Sequence, residues 1–256
     1  MEWKELEDVE KINEGNFGVV YSCKYKGEVV AVKVYKPGNE KYEQVLKNAL
    51  EIAKHIKHKN LIVCTNYFYD NIGNELHLIS VLEYVDGIHL NKVERVEDKM
   101  QTYLPQIVLA LKYLHHNNVV HRDIKPENIL VDLKNDNVKI IDYDFLRRSK
   151  DGLFDYHGRC GSFYYMAYEL FLEEKFTCKV DLWSLGVTLY YCLRKRMPFE
   201  AKNKEDLRII VLSDYLPSFN KISILYRDIM QGLLIRDVEK RISLKEIQNL
   251  LKVVKS

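Results

Sequence analysis

The residues of this sequence that are best suited to chemistry lie in one stretch, between Val119 and Asp144. In it, Asp123 is followed by Lys125 two residues later and by Asn128 five residues later. Asp142 comes after a second apolar run. A positioned carboxylate can accept a proton from a hydroxyl group, an ammonium group can neutralise negative charge, and carboxylate and amide oxygens suit Mg²⁺. The stretch therefore predicts a site where a metal and a substrate hydroxyl group could meet.

Two short apolar runs would position these side chains. They flank a polar turn from Asp132 to Asn137, and each adjoins acidic or amide side chains. Such strand-like runs would bring the polar groups together at one mouth of loops. The segment from His121 to Asn128 reads His-Arg-Asp-Ile-Lys-Pro-Glu-Asn, and the triplet Asp-Tyr-Asp follows at 142–144. The two motifs resemble the catalytic loop and the metal-binding triplet of the protein kinases.

The resemblance implies a site that depends on ATP and Mg²⁺. Asp123 would orient the substrate hydroxyl and accept its proton, Lys125 would stabilise the moving phosphoryl group, and Lys33 would contact the α- and β-phosphates. Asn128 and Asp142 would hold Mg²⁺. The residues that would bind ATP are Ile12, Gly15, Gly18, Val20, Ala31, Lys33, Glu83, Val85 and Leu130.

A glycine-containing loop near the N-terminus belongs to this nucleotide site. Gly15 and Gly18 lie between two strand-like runs, where backbone N–H groups can approach phosphate oxygens. For such a loop taken alone, an ordinary hairpin turn is favoured by roughly three to one. Lys33 in the next apolar run changes those odds, because loop and lysine together resemble the family's phosphate-binding elements. Asn13 replaces the family's first loop glycine.

The helix predicted from Lys41 to Lys57 lacks an expected acid. In the family this helix carries a glutamate that pairs with the strand lysine, and here its position falls on Ala49. Glu51, two residues further on, lies about 200° around the helix. The sequence favours a solvated Glu51 over an ion pair with Lys33, so the partner of Lys33 stays open.

The triplet at 142–144 also departs from the family's Asp-Phe-Gly. Tyr143 can pack as a phenylalanine does, but its hydroxyl needs a partner. Asp144 replaces a glycine whose conformational freedom lets the loop swing. It would therefore restrict switching between active and inactive positions, or add a carboxylate near the metal. Because aspartate tolerates a left-handed backbone better than most residues, the fold is not threatened.

Residues 142–169 resemble the family's activation segment. Gly158 occupies the position of the usual activating phosphorylation site, so activation by phosphate at that position is not available. Arg122 would then lack a phosphate partner, and Asp155 is a partial substitute.

Two further acids are expected to hold the site in place. Glu169, at the end of the activation segment, should form a structural pair with Arg241. Asp181 should hold the backbone of the turn before the catalytic aspartate. His115 is expected to be a solvated helix end cap, because the adjacent His116 must face another direction.

These elements predict an α+β, two-lobed fold like that of the protein kinases. The first lobe, about residues 1–85, would contain a small antiparallel sheet of about five strands and one helix. The second lobe, about residues 86–256, would be larger and mainly helical. Together they would form a single protein kinase domain over residues 1–256.

Composition and charge argue against several other classes of protein. Apolar residues make up 47%, charged residues 30%, and the net charge is +2, which supports neither a nucleic-acid-binding surface nor a basic membrane patch. No apolar run reaches the ~18 residues of a membrane span, and the acidic N-terminus does not resemble a signal peptide. Five scattered cysteines without a C-x-x-C pair favour a reducing compartment, the cytoplasm.

The sequence thus resembles a Ser/Thr protein kinase, because Lys125 and Ser162 are typical of that class. This implies a protein substrate, and a regulatory partner is left open.

The main alternative is a pseudokinase that acts as a nucleotide-binding scaffold or allosteric partner. The departures that favour it are Asn13, Ala49, Asp144 and Tyr168, the last in place of a proline. Against it, every group that would touch phosphate, metal or hydroxyl is retained. A kinase for small molecules is disfavoured, because residues 161–169 resemble a protein-substrate platform.

Overall fold

A five-stranded antiparallel sheet forms the first lobe in a computed structural model, which describes residues 1–158 and 160–253. The strands are β1 (Glu7–Glu14), β2 (Gly18–Tyr25), β3 (Glu28–Tyr35), β4 (Cys64–Ile72) and β5 (Glu75–Glu83). Their order is β1-β2-β3-β5-β4, so β3 is central. Alternate residues of a strand point to opposite faces. Val32 and Val34 pack with Leu6 on one face, and this leaves Ala31 and Lys33 for the other face.

One helix, α1 (Glu40–Lys54), packs on this sheet. The side chain of Asn39 caps its N-terminus by accepting a hydrogen bond from the Tyr42 amide, which satisfies a donor that has no intrahelical partner. Its buried face consists of Leu46, Ala49, Leu50 and Ala53. The helix ends at Lys54, three residues before the predicted end at Lys57.

The second lobe is mainly helical, as the sequence predicts. Its helices are α2 (Val96–His116), α3 (Tyr168–Phe171), α4 (Lys179–Arg194), α5 (Lys204–Leu212), α6 (Ile224–Leu233) and α7 (Leu244–Val253). Helix α4 is buried along most of its length and contacts α2, α3 and α6. Within the described ranges, no helix combines the length and the apolar character that crossing a bilayer would need.

Short strands of the second lobe flank the loops that contain the polar residues of the site. Strands β6 (Ile88–His89), β8 (Ile129–Asp132) and β9 (Asn137–Ile140) form a three-stranded sheet in the order β6-β8-β9. Strands β7 (Val119–Val120) and β10 (Arg147–Arg148) form a separate pair. The turn predicted between 132 and 137 joins β8 to β9.

One hydrophobic cluster extends through both lobes. It includes Leu46 and Leu50 of α1, Leu104 of α2, Ile140 of β9 and Met230 of α6. Burial of such apolar surface is the dominant favourable term in folding. The cleft side of the sheet and the helical lobe are therefore held against each other by a shared core.

Candidate active site

A cleft of about 850 Å³ lies between the sheet and the helical lobe. Every site residue named from the sequence lines it. From the first lobe and the segment just after β5, these are Ile12, Gly15, Gly18, Val20, Ala31, Lys33, Glu83 and Val85. From the second lobe they are Asp123, Lys125, Asn128, Leu130 and Asp142. The volume falls within the usual range for small-molecule sites.

The glycine loop closes the top of the cleft. The amide of Gly15 donates a hydrogen bond to the Gly18 carbonyl at 2.9 Å. A side chain at Gly18 would lie 2.3 Å from the carbonyl oxygen of Val34, so only glycine fits there. Between the two glycines, the Phe17 ring packs edge-on against Phe145, with ring centroids 5.3 Å apart.

The hairpin of β8 and β9 holds the two candidate metal ligands at its open end. The Ile141 amide donates to the carbonyl of Asn128 at 2.9 Å, so the backbone before Asp142 is tied to Asn128. The φ angle of Asp142 is +67°. A non-glycine residue in this region is strained, and such strain persists only where surrounding bonds impose it. The left-handed position of the triplet is therefore at Asp142 and not at Asp144.

Asp123 is held by three donors. Its Oδ2 atom accepts from Lys125 Nζ at 2.8 Å and from Asn128 Nδ2 at 2.7 Å. Its Oδ1 atom accepts from the backbone amide of Ser162 at 2.7 Å, and Lys125 also donates to the Ser162 hydroxyl at 2.6 Å. Sequence reasoning did not assign the Ser162 amide, because backbone groups leave no signal in a motif. These bonds fix the direction of a nearly buried carboxylate.

The turn that carries Asp123 is fixed from below by Asp181. This carboxylate accepts from the backbone amides of His121 at 2.9 Å and Arg122 at 2.8 Å, which confirms its predicted role. His115 Nε2 lies 2.8 Å from Asp181 Oδ2, so the expectation that His115 is solvated was wrong. Burial opposes ionisation of Asp181, but the hydrogen bond and charge of His115 hold its pKa below the usual range.

Lys33 pairs with both acids of the triplet. Its Nζ atom lies 2.7 Å from Asp142 Oδ1 and 2.7 Å from Asp144 Oδ2. Asp144 is buried, with 2% of its surface exposed. Burial, and then the neighbouring charge of Asp142, raises the pKa of Asp144 to about 7. Burial also opposes the charged form of Asp142, but the charge of Lys33 keeps its pKa well below normal.

Glu51 does not approach Lys33. It accepts from the Tyr67 hydroxyl at 2.6 Å and lies 3.5 Å from Lys54 Nζ, with its side chain 51% exposed. Ala49, by contrast, is completely buried. The favoured expectation of an exposed Glu51 is confirmed, because the helix turns that position away from the face that contains Ala49.

The hydroxyl of Tyr143 finds the partner that the sequence required. It donates to the carbonyl of Ile62 at 2.6 Å, and the ring is 3% exposed. The ring packs edge-on against His121, with centroids 6.1 Å apart. Tyr143 thus fills the position of the family's phenylalanine with its polar end satisfied.

The suggestion that Asp155 substitutes for a phosphate near Arg122 was wrong. Arg122 donates through Nε to the carbonyl of Phe145 at 2.7 Å. The carboxylate of Asp155 lies 3.1 Å from Lys175, and its carbonyl accepts from Arg147. Among the described residues, the carbonyl of Phe145, rather than the carboxylate of Asp155, lies against the arginine of the catalytic loop.

Glu169 and Arg241 form the buried pair that the sequence predicts. Two parallel bonds of 2.8 Å join the guanidinium group to the carboxylate. Arg241 also donates to the carbonyls of Lys179 and Ile235, and its guanidinium lies 5.3 Å from the centroid of the Trp183 ring. These contacts fasten the end of the activation segment to α4 and to the C-terminal part of the chain.

Comparison with known proteins agrees with this geometry. The model of the protein kinase domain family matches residues 6–251. The chain is 33% identical over 243 residues to serine/threonine-protein kinase 36 of Pongo abelii, covering 92% of this chain and 18% of that protein. It is 34% identical over 260 residues to serine/threonine-protein kinase ULK3 of Xenopus laevis, covering 94% of this chain and 54% of that protein. The chain spans only part of the length of these relatives.

Proposed function

This chain belongs to the protein kinase family, and we propose that it transfers the γ-phosphoryl group of ATP to serine or threonine hydroxyl groups of protein substrates. The observation that carries the proposal is the setting of Asp123. Its carboxylate lies in the cleft beside Lys125 and Asn128 and is held by three donors. Positioning and electrostatics supply most of the catalysis in this reaction class.

The residues of the cleft fit ATP and Mg²⁺. Lys33 offers a cation that would hold phosphate oxygens, and a side chain added at Gly15 would meet no atom within 4 Å, so the loop has room beside its backbone. Asp142 offers a carboxylate, and Asn128 bonds Asp123 through Nδ2, so its amide oxygen is the atom suited to a metal. Bound Mg²⁺ would neutralise phosphate charge and orient it.

Two side chains of the protein would handle the proton of the substrate hydroxyl and the negative charge on the phosphoryl group. In the proposal, Asp123 orients the substrate hydroxyl and holds its proton on a carboxylate oxygen as the bond to phosphorus forms. Lys125, which lies between Asp123 and the Ser162 hydroxyl, stabilises negative charge on the group in transit. Protein substrates would bind along the segment before Glu169, which the buried pair with Arg241 anchors.

Four departures favour the pseudokinase alternative, at Asn13, Ala49, Asp144 and Tyr168, and two of them offset each other. Asp144 lies 2.7 Å from Lys33, so its carboxylate compensates the lysine charge in place of the acid missing at Ala49.

All five cysteines are free thiols, which supports action in a reducing compartment, the cytoplasm. The near-balanced net charge of +2 favours neither nucleic acid nor membrane as a partner.

Labelled ATP tests the proposal directly. Wild-type protein and Asp123→Asn are incubated with Mg²⁺, ATP and a generic protein substrate, and transfer to serine and threonine is measured. We expect transfer by the wild type and a loss of at least about 100-fold in the variant, because the asparagine cannot accept the proton. Equal transfer by both proteins, or none by a wild type that binds ATP, would contradict the proposal.

A further inference from the structure

In this chain, an acid that pairs with Lys33 lies in the triplet, at Asp144, and not on helix α1. Helix α1 offers Lys33 no carboxylate at Ala49, and Glu51 is bound to Tyr67 at the surface. Asp144 stands two residues after Asp142, and its Oδ2 atom lies 2.7 Å from Lys33 Nζ. Lys33 therefore still has two acids beside it, Asp142 and Asp144.

We propose that Asp144 is the positioning residue for Lys33, which it orients toward the phosphates of the nucleotide. The inference rests on the proposed function, since it concerns how the same cleft holds ATP. A carboxylate that ligates Mg²⁺ shares its charge with the metal, so Asp142 does not serve Lys33 alone. Asp144 remains as the acid that fixes the direction of the ammonium group.

The surroundings of Asp144 suit this role. A buried lysine without an acid is costly, because the interior does not solvate its charge. Asp144 is itself buried, and among the described residues its second oxygen, Oδ1, has no hydrogen-bond partner. In the described part of the chain, Lys33 donates to this carboxyl group, which otherwise lies against the carboxyl group of Asp142.

Because Asp144 replaces an acid on α1 as the partner of Lys33, the orientation of Lys33 depends on the triplet at 142–144 and not on the helix. Where the acid lies on a helix, the lysine is released when that helix swings outward. In this chain, the lysine keeps its partner for as long as the triplet keeps its position. Changes at 142–144, and not a displacement of α1, would then set the orientation of Lys33.

A double-mutant cycle on ATP affinity tests the proposal. Affinity is measured, with Mg²⁺ present, from the thermal stabilisation that rising ATP concentrations give. The four proteins are the wild type, Asp144→Asn, Lys33→Met and the double variant. We expect Asp144→Asn to weaken ATP binding about 10-fold with Lys33 present and by less than about twofold without it, since contacting residues couple in this range.

Equal losses in the two backgrounds, or no loss in either, would overturn the positioning role. Glu51→Gln is the matched control, because it neutralises an acid on α1 that does not contact Lys33, and it should leave ATP affinity unchanged. Asp144→Gly, the residue usual in the family, repeats the cycle if the asparagine variant does not fold. A wild type that shows the coupling but transfers no phosphate would overturn the proposed function and leave the positioning role standing.

Discussion

At the scale of single residues, Tyr143 shows how a polar atom is accommodated in an apolar position. The ring is buried where the family has phenylalanine, and the hydroxyl donates to the Ile62 carbonyl. A buried hydroxyl or carbonyl without a partner costs free energy, whereas the pair satisfies both groups. The bond therefore joins the triplet to the segment between α1 and β4, where Ile62 lines the cleft.

Removing this hydroxyl should lower stability by a small and measurable amount. We expect Tyr143→Phe to reduce the free energy of unfolding by about 1 kcal/mol, because the Ile62 carbonyl loses its donor in a buried place. Urea unfolding measures the change, and Tyr215→Phe, at a half-exposed tyrosine, controls for loss of a hydroxyl elsewhere. Equal midpoints for the two variants would mean that the bond adds no net stability.

The sequence predicted which residues line the cleft better than it predicted which of them pair with one another. All the candidate site residues line one cleft, because motif spacing reflects a shared backbone arrangement. The pairing of Lys33 with Asp144 could not be predicted in this way. The sequence shows an acid missing at Ala49 and another added at Asp144, but only the folded chain brings Asp144 and Lys33 within 2.7 Å.

At the scale of elements, α1 is held to its surroundings without an ion pair to Lys33. Tyr42 in its first turn stacks on Phe17 of the glycine loop, with ring centroids 6.1 Å apart. Glu51 near its other end binds the hydroxyl of Tyr67 on β4. Packing and hydrogen bonds from tyrosines of β4 to Glu43 and Glu51 therefore set the position of the helix, and the charge of Lys33 does not.

Neutralising Glu51 should accordingly leave catalysis intact. We expect Glu51→Gln to keep kcat within about twofold of the wild type, since Glu51 lies at the surface, contacts Tyr67 and Lys54 rather than Lys33, and a glutamine can still accept from Tyr67. The measurement is the steady-state rate of phosphate transfer at saturating ATP. A fall of orders of magnitude would instead place Glu51 at Lys33 during turnover and would contradict the position that the helix has here.

Hydrophobic periodicity predicted the elements well and their ends less well. The sheet of about five strands, its one helix and the mainly helical second lobe all occur as expected, because alternation and 3.6-residue repeats follow directly from burial. The end of α1 at Lys54 depends instead on local bonds, such as that from His55 to the Ile52 carbonyl. No such bond is visible in a pattern of apolar residues.

At the scale of the whole molecule, apolar packing joins the two lobes, while a buried ion pair anchors the end of the activation segment. The shared core extends from α1 to α7, so the two walls of the cleft fold on a common base. The end of this segment is joined to Arg241 by a bidentate pair at Glu169, beside apolar packing of Tyr165, Met166 and Ala167. This pair is buried, so neither charge has water as a substitute partner.

Breaking that pair should destabilise the whole molecule more than any surface ion pair does. Glu169→Gln leaves the guanidinium of Arg241 buried without a counter-charge, and removal of one partner of a buried pair typically costs about 3–5 kcal/mol. We expect a large fall in the urea midpoint. Asp86→Asn is the control, because its pair with Lys134 is largely exposed and solvent already screens it, so that midpoint should not move. If both variants unfold at the wild-type midpoint, the platform is held by its apolar contacts and the buried pair is dispensable.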